Sequence, residues 1–94
     1  GLKIQDPAND LAVLAAILSS SLDLPLDNRT CFAGEVGLSG EIRPVPRLEQ
    51  RMAEAARLGM ERMLISGHGS RPDAPSGLTL IPVTRVNEIQ RLVF

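Results

Sequence analysis

Apolar side chains recur along this chain in two periods, and the switches between them mark out its elements. Leu2 and Ile4 alternate with Lys3 and Gln5 over residues 1–5, which predicts a short strand. Asp6-Pro7 then predicts a helix start. Aspartate accepts from the free N–H groups of a first turn, and proline suits the first helical position, where no N–H is needed. From Leu11 to Leu18 the helix is apolar nearly all round, with Ala12, Ala15 and Ala16 as its small members. Such a helix is expected to be central and buried on several sides. Ser19, Ser20 and Ser21 close it, and residues 22–29 form a loop carrying Pro25 and aspartates.

The period then drops to two. Thr30 to Leu38 predicts a strand with Phe32, Val36 and Leu38 on one face and Cys31, Ala33 and Glu35 on the other. Gly34 and Gly37 inside it point to a bulge or a close backbone contact. Ser39-Gly40 is the turn, and Glu41 to Val45 returns as a second strand, which Pro44 confines to an edge or an end. Residues 46–58 predict a helix with Leu48, Met52 and Ala55 as its inner stripe, and Gly59 at a left-handed cap. Met63 to Ser66 is a strand, Gly67 to Gly77 a loop and Leu78 to Val83 a further strand. Thr84 is expected to cap a last helix through Leu92. The order β-α-β-β-α-β-β-α predicts a mixed α/β (α+β) layer fold.

Composition narrows the function classes. Ninety-four residues, 44% hydrophobic and 22% charged, suit one small globular domain. No stretch reaches the roughly 18 uncharged apolar residues of a membrane span. Cys31 is the only cysteine, so no internal disulfide is possible and a cytoplasmic setting is expected. The net charge of −1 argues against a strong autonomous nucleic-acid binder. Nine of the ten basic residues are nevertheless arginine, the preferred fork for phosphate and carboxylate. Phe32 and Phe94 are the only aromatics, which leaves base stacking almost nothing to use.

The segments Asp6-Pro7-Ala8-Asn9-Asp10, Gly34 to Gly59, Met63-Leu64-Ile65 and Pro82-Val83 with Val86-Asn87-Glu88-Ile89 occur in the order found in Lon-type proteolytic domains. The wording Gly34-Glu35-Val36-Gly37-Leu38-Ser39-Gly40-Glu41-Ile42-Arg43-Pro44-Val45 most resembles the C-terminal Lon-like domain of the RadA (Sms) family of bacterial DNA-repair proteins. The resemblance implies the second half of a Lon-like fold, of the ribosomal protein S5 domain 2 type, over residues 1–94. The upstream half and any ATPase core would lie outside the chain. The family's peptidases use a serine nucleophile at the start of the first helix and a lysine after the hairpin, because the hydroxyl needs a nearby base. Here those positions hold Ala8 and Glu49, so the resemblance implies a domain without proteolytic chemistry.

RadA-like proteins, by the same resemblance, are ATP-dependent motors of recombination and branch migration with a RecA-like core and a zinc finger. Their Lon-like part helps assemble a hexameric ring and offers a surface to DNA. No phosphate-binding loop or zinc-finger cysteine pattern is present here, so ATP and zinc are expected only in segments outside this chain. The expected partners are further copies of the chain and, as an open alternative, DNA. No membrane partner is expected.

Arg43, Arg47 and Arg51 form a ladder from the hairpin onto the following helix and are the candidates for DNA phosphate contact. The plain alternative is a solvated face or a subunit contact, since Glu41, Glu49, Glu54 and Glu61 interleave with them. His68 has no second histidine or cysteine pair beside it and reads as an exposed loop residue. Cys31 reads as a small buried apolar residue rather than a nucleophile. Asp6 reads as a helix cap with Asp10 ordinary beside it, and Glu35 and Glu41 read as solvated or paired to arginine. Finally, apolar surface around Leu14, Ile17 and Leu18 is expected to be covered by another chain.

Overall fold

The computed structural model describes residues 6–94, so the strand expected over residues 1–5 lies outside the described residues. A 3-10 turn, Pro7–Asn9, leads into α1 (Asp10–Leu22). Then come β1 (Thr30–Ala33), β2 (Glu35–Val36), β3 (Ile42–Arg43) and α2 (Leu48–Arg57). β4 (Arg62–Ser66), β5 (Thr79–Val83), a 3-10 turn at Val86–Glu88 and α3 (Ile89–Val93) complete the α/β domain.

β1, β4 and β5 form a parallel sheet in the order β1-β4-β5, with Phe32 opposite Leu64 and Leu64 opposite Ile81. A parallel sheet needs both faces covered, and β4 carries the apolar run this demands. Met63 and Ile65 point into one cluster with Met52, Ala55 and Leu78, roofed by α2. Leu64 points the other way, into a cluster with Leu11, Ile42, Val83 and Ile89 beneath α1, the hairpin and α3. The alternation expected of β1 holds: Cys31 and Ala33 face the first cluster and Phe32 the second. Pro82 is accommodated because β5 is an outer strand.

The stripe Leu48, Met52 and Ala55 packs as expected, and Gly59 ends α2 with φ +85°. Four expectations are corrected. The strand read as Thr30 to Leu38 breaks at Gly34, with β1 in the parallel sheet and β2 in a separate hairpin with β3. The break is caused by the first helix: Gly34 N–H donates to the Ala8 carbonyl (3.1 Å), and Leu11 N–H donates to the Gly34 carbonyl (3.1 Å). Leu38 is not on an inward face. It sits at the turn, fully exposed at 105%.

The third correction concerns α1, which runs on through the serines to Leu22 and covers one face of the sheet rather than being wrapped. Leu11 and Ala15 are buried and Leu14 and Leu18 pack against the core, whereas Val13 and Ile17 remain 54% and 56% exposed. Lastly, Thr84 does not cap the final helix. Glu88 does that work, its Oε1 accepting from the N–H groups of Thr84 (2.7 Å) and Arg85 (3.0 Å) and from the Thr84 hydroxyl (3.1 Å).

Candidate functional site

The hairpin between Gly34 and Arg43 is short because β2 and β3 pair over only two residues each, Glu35 with Arg43 and Val36 with Ile42. Its tip is held by one carboxylate. Glu41 Oε1 accepts from the Ser39 N–H (3.2 Å) and the Ser39 hydroxyl (2.6 Å), while Oε2 accepts from Arg43 Nε (3.1 Å) and Nη2 (2.9 Å). That carboxylate lies over Gly37, where a Cβ would come within 2.1 Å of it. A side chain at this position would push the Glu41 carboxylate out of the clasp. The Ser39 hydroxyl, then the chain's own backbone and the Arg43 guanidinium, hold the Glu41 carboxyl down at about 2.

A folded-state value below the ordinary 4.5 means that the clasp contributes fully above the unfolded value and loses its contribution as pH falls through about 2. Carboxyl-resolved NMR titration is expected to show Glu41 with a midpoint near 2. A midpoint at the ordinary glutamate value would mean that the clasp is open in solution.

The first turns of α1 and α2 are brought together by Asp6. Its Oδ1 accepts from Ala8 N–H (3.1 Å), the expected cap, and its Oδ2 accepts from Arg51 Nη2 (3.3 Å). The Ala8 N–H first, and then Arg51, hold the Asp6 carboxyl below its usual range. Arg51 also donates from Nε to the Pro46 carbonyl (3.0 Å). Beside this contact lies a groove of about 610 Å³ whose rim includes Asn9, Arg47, Gln50 and Arg51 and whose walls include Cys31, Ala33, Ala55, Leu58 and Met63. Three successive residues of β1, from Cys31 to Ala33, line it, so it runs along that strand.

The three predicted arginines are not equivalent. Arg43 is neutralised by Glu41 and does not line the groove. Arg47 and Arg51 share the groove rim, but Arg51 is tied to Asp6. Arg47 has no ion-pair partner among the described residues and holds a left-handed backbone, φ +59°, where it caps α2. A non-glycine residue there costs about 1 kcal/mol or more, and such strain is characteristic of sites where a side chain is being aimed.

Ala8 is buried at 2% exposure and Glu49 is exposed on the first turn of α2; neither lines the groove. Cys31 and His68 are also separate. The half-buried Cys31 thiol donates to the Arg62 carbonyl, and burial pushes its pKa up, which suits packing and not nucleophilic attack. His68 is exposed and borders a different, small cavity of about 50 Å³ with Ser66 and Arg71. Asp10 joins α1 to the hairpin, accepting from the Val36 N–H (3.2 Å). Glu35 has no ion-pair partner among the described residues, which also contain no cluster of three or more potential metal-ligating side chains. The Asp6–Arg51 tie spans 45 positions of sequence and had no local signal.

The chain is thus an α/β domain in which a hairpin clasped by Glu41 leads to the first turn of α2. Residues 1–68 match the family described as subunit ChlI of Mg-chelatase, and the chain belongs to that family. Across its whole length the chain is homologous to the ChlI/Lon-like region of proteins named DNA repair protein RadA. The relative from Pseudomonas aeruginosa is 40% identical over 94 residues, covering 100% of this chain and 21% of the relative. That from Bacillus subtilis is 46% identical over 92 residues (97% and 20%), and that from Streptococcus pneumoniae 43% over 95 residues (100% and 23%). The chain thus spans about a fifth of the length of the curated relatives it matches.

Proposed function

We propose that this chain is a Lon-like domain without proteolytic activity that serves as an assembly module of a RadA-type, ATP-dependent DNA-repair and recombination protein. The observation that carries the reading is the homology of this whole chain to about a fifth of DNA repair proteins RadA, joined to the residues found where the Lon-like resemblance puts a serine and a lysine. Ala8 has no hydroxyl to activate, and Glu49 is a carboxylate where the chemistry needs an amine that can give up a proton. A serine-reactive fluorophosphonate probe is expected to leave the folded chain unlabelled. An adduct at one specific serine would overturn the non-proteolytic part of the reading.

DNA contact is a second reading, favoured by Arg47 alone. It is the one ladder arginine without an ion pair among the described residues, and a ring would sum such weak contacts over several copies. The variant Arg47→Gly tests it cleanly, because glycine accepts the left-handed backbone without strain. Fluorescence anisotropy of the assembled protein with duplex DNA is expected to show salt-dependent binding, weakened by Arg47→Gly with a shallower salt slope. Absence of binding at both low and moderate salt would leave a protein-interaction domain only.

A further inference from the structure

We propose that the hairpin tip of one copy of this chain docks, through Leu38, onto the outward stripe of α1 on a second copy. This deepens the assembly reading above and rests on it. A single exposed leucine on a surface is ordinary. Leu38 differs because the backbone on both sides of it is fixed from several directions. Gly37 N–H donates to the Glu41 carbonyl (2.8 Å), Gly40 N–H to the Gly37 carbonyl (3.0 Å) and Val86 N–H to the Gly40 carbonyl (2.9 Å). Arg85 Nη2 donates to the Ser39 carbonyl, and the Glu41 clasp closes the other side. None of these bonds buries the leucine. They hold it outward, and a side chain presented on an ordered turn loses little entropy on docking.

The complementary surface lies on α1. Val13 and Ile17 stand one turn apart on its outer side, and Leu24 is folded back towards the helix end by its N–H bond to the Ser19 carbonyl (3.0 Å). No charged residue occurs between Asp10 and Asp23, so the stripe offers a polyanion nothing to bind. The charges that flank the two surfaces are opposite. Arg85 beside the tip and Asp23 at the end of α1 each lack an ion-pair partner among the described residues, and the negative end of the α1 dipole adds to Asp23. Tip and stripe are different patches of the same chain, so the contact is head-to-tail, and repeated copies either close into a ring or continue as a filament.

Light scattering of the chain across a concentration series, with circular dichroism to confirm folding, provides the test. The unsubstituted chain is expected to self-associate, and Leu38→Glu and Ile17→Glu are each expected to weaken association roughly tenfold or more, the scale of one central contact residue. Arg85→Glu should weaken it too, and Arg85→Glu with Asp23→Arg should restore it. In a Cys31→Ala background, a mixture of Leu38→Cys and Ile17→Cys chains should form a disulfide-linked dimer under mild oxidation, while neither chain alone does. Association that persists unchanged in Leu38→Glu and Ile17→Glu would overturn this contact and leave assembly through another surface. A monomer at every concentration would overturn both the contact and the assembly reading.

Discussion

Leu64→Ala is expected to lower the unfolding free energy by about 2–5 kcal/mol, the range for emptying a fully buried leucine site. Leu64 is 0% exposed and sits on the middle strand of the parallel sheet, paired on both sides, with Leu11, Ile42, Val83 and Ile89 around it. Backbone hydrogen bonds fix β4 from left and right, so the walls cannot collapse into the space by moving the strand. A domain of this size has about 5–14 kcal/mol in total, so the substitution removes a large share of it. Urea denaturation should show an earlier midpoint with an unchanged slope, and the thermal midpoint should fall by about 4–8 °C per kcal/mol lost. A loss under about 1 kcal/mol would mean that the second cluster is loosely packed and that the hairpin and α1 are not held on the sheet through it.

Gly34→Val is the second large effect, and it acts by overfilling. A Cβ at Gly34 would already stand 3.0 Å from Ile42 Cγ2 and 3.0 Å from Leu11 Cδ2, and both neighbours are fully buried. Valine adds two methyl groups in that direction. The backbone cannot retreat, because Gly34 N–H and C=O are both engaged by the start of α1. Overpacking of this kind costs about 1–3 kcal/mol or more, and the displaced groups are the ones joining helix, hairpin and sheet. The expected result is a lower urea midpoint together with loss of the Glu41 titration near pH 2, because the hairpin moves. If stability falls and that titration is retained, the hairpin holds its clasp independently of α1.

Much of the site was legible locally. Asp6 was readable as a cap because an aspartate before a proline acts within its own turn, and it accepts from Ala8 N–H two residues away. Gly59 was readable because a helix end needs a left-handed residue. The pairing of Arg51 with Asp6 was not, and it changes the meaning of the arginine ladder: spacing put Arg43, Arg47 and Arg51 in a row, while folding cancels the first and third and leaves Arg47. Leu38 was misplaced for a related reason. Alternation continues through Gly37 on paper, but Glu41 ends the strand by reaching back to Ser39 and occupying the space above that glycine.

The amino-acid order by itself determined the inner stripe of α2, the left-handed end of that helix at Gly59 and the two faces of β1, because each depends on contacts within a few positions. Tertiary structure decided the break at Gly34, the half-open outer side of α1 and which arginine stays unpaired. Those outcomes depend on what the chain brings alongside from far away: the Ala8 carbonyl to Gly34, the sheet to one side of α1 only, and Asp6 to Arg51.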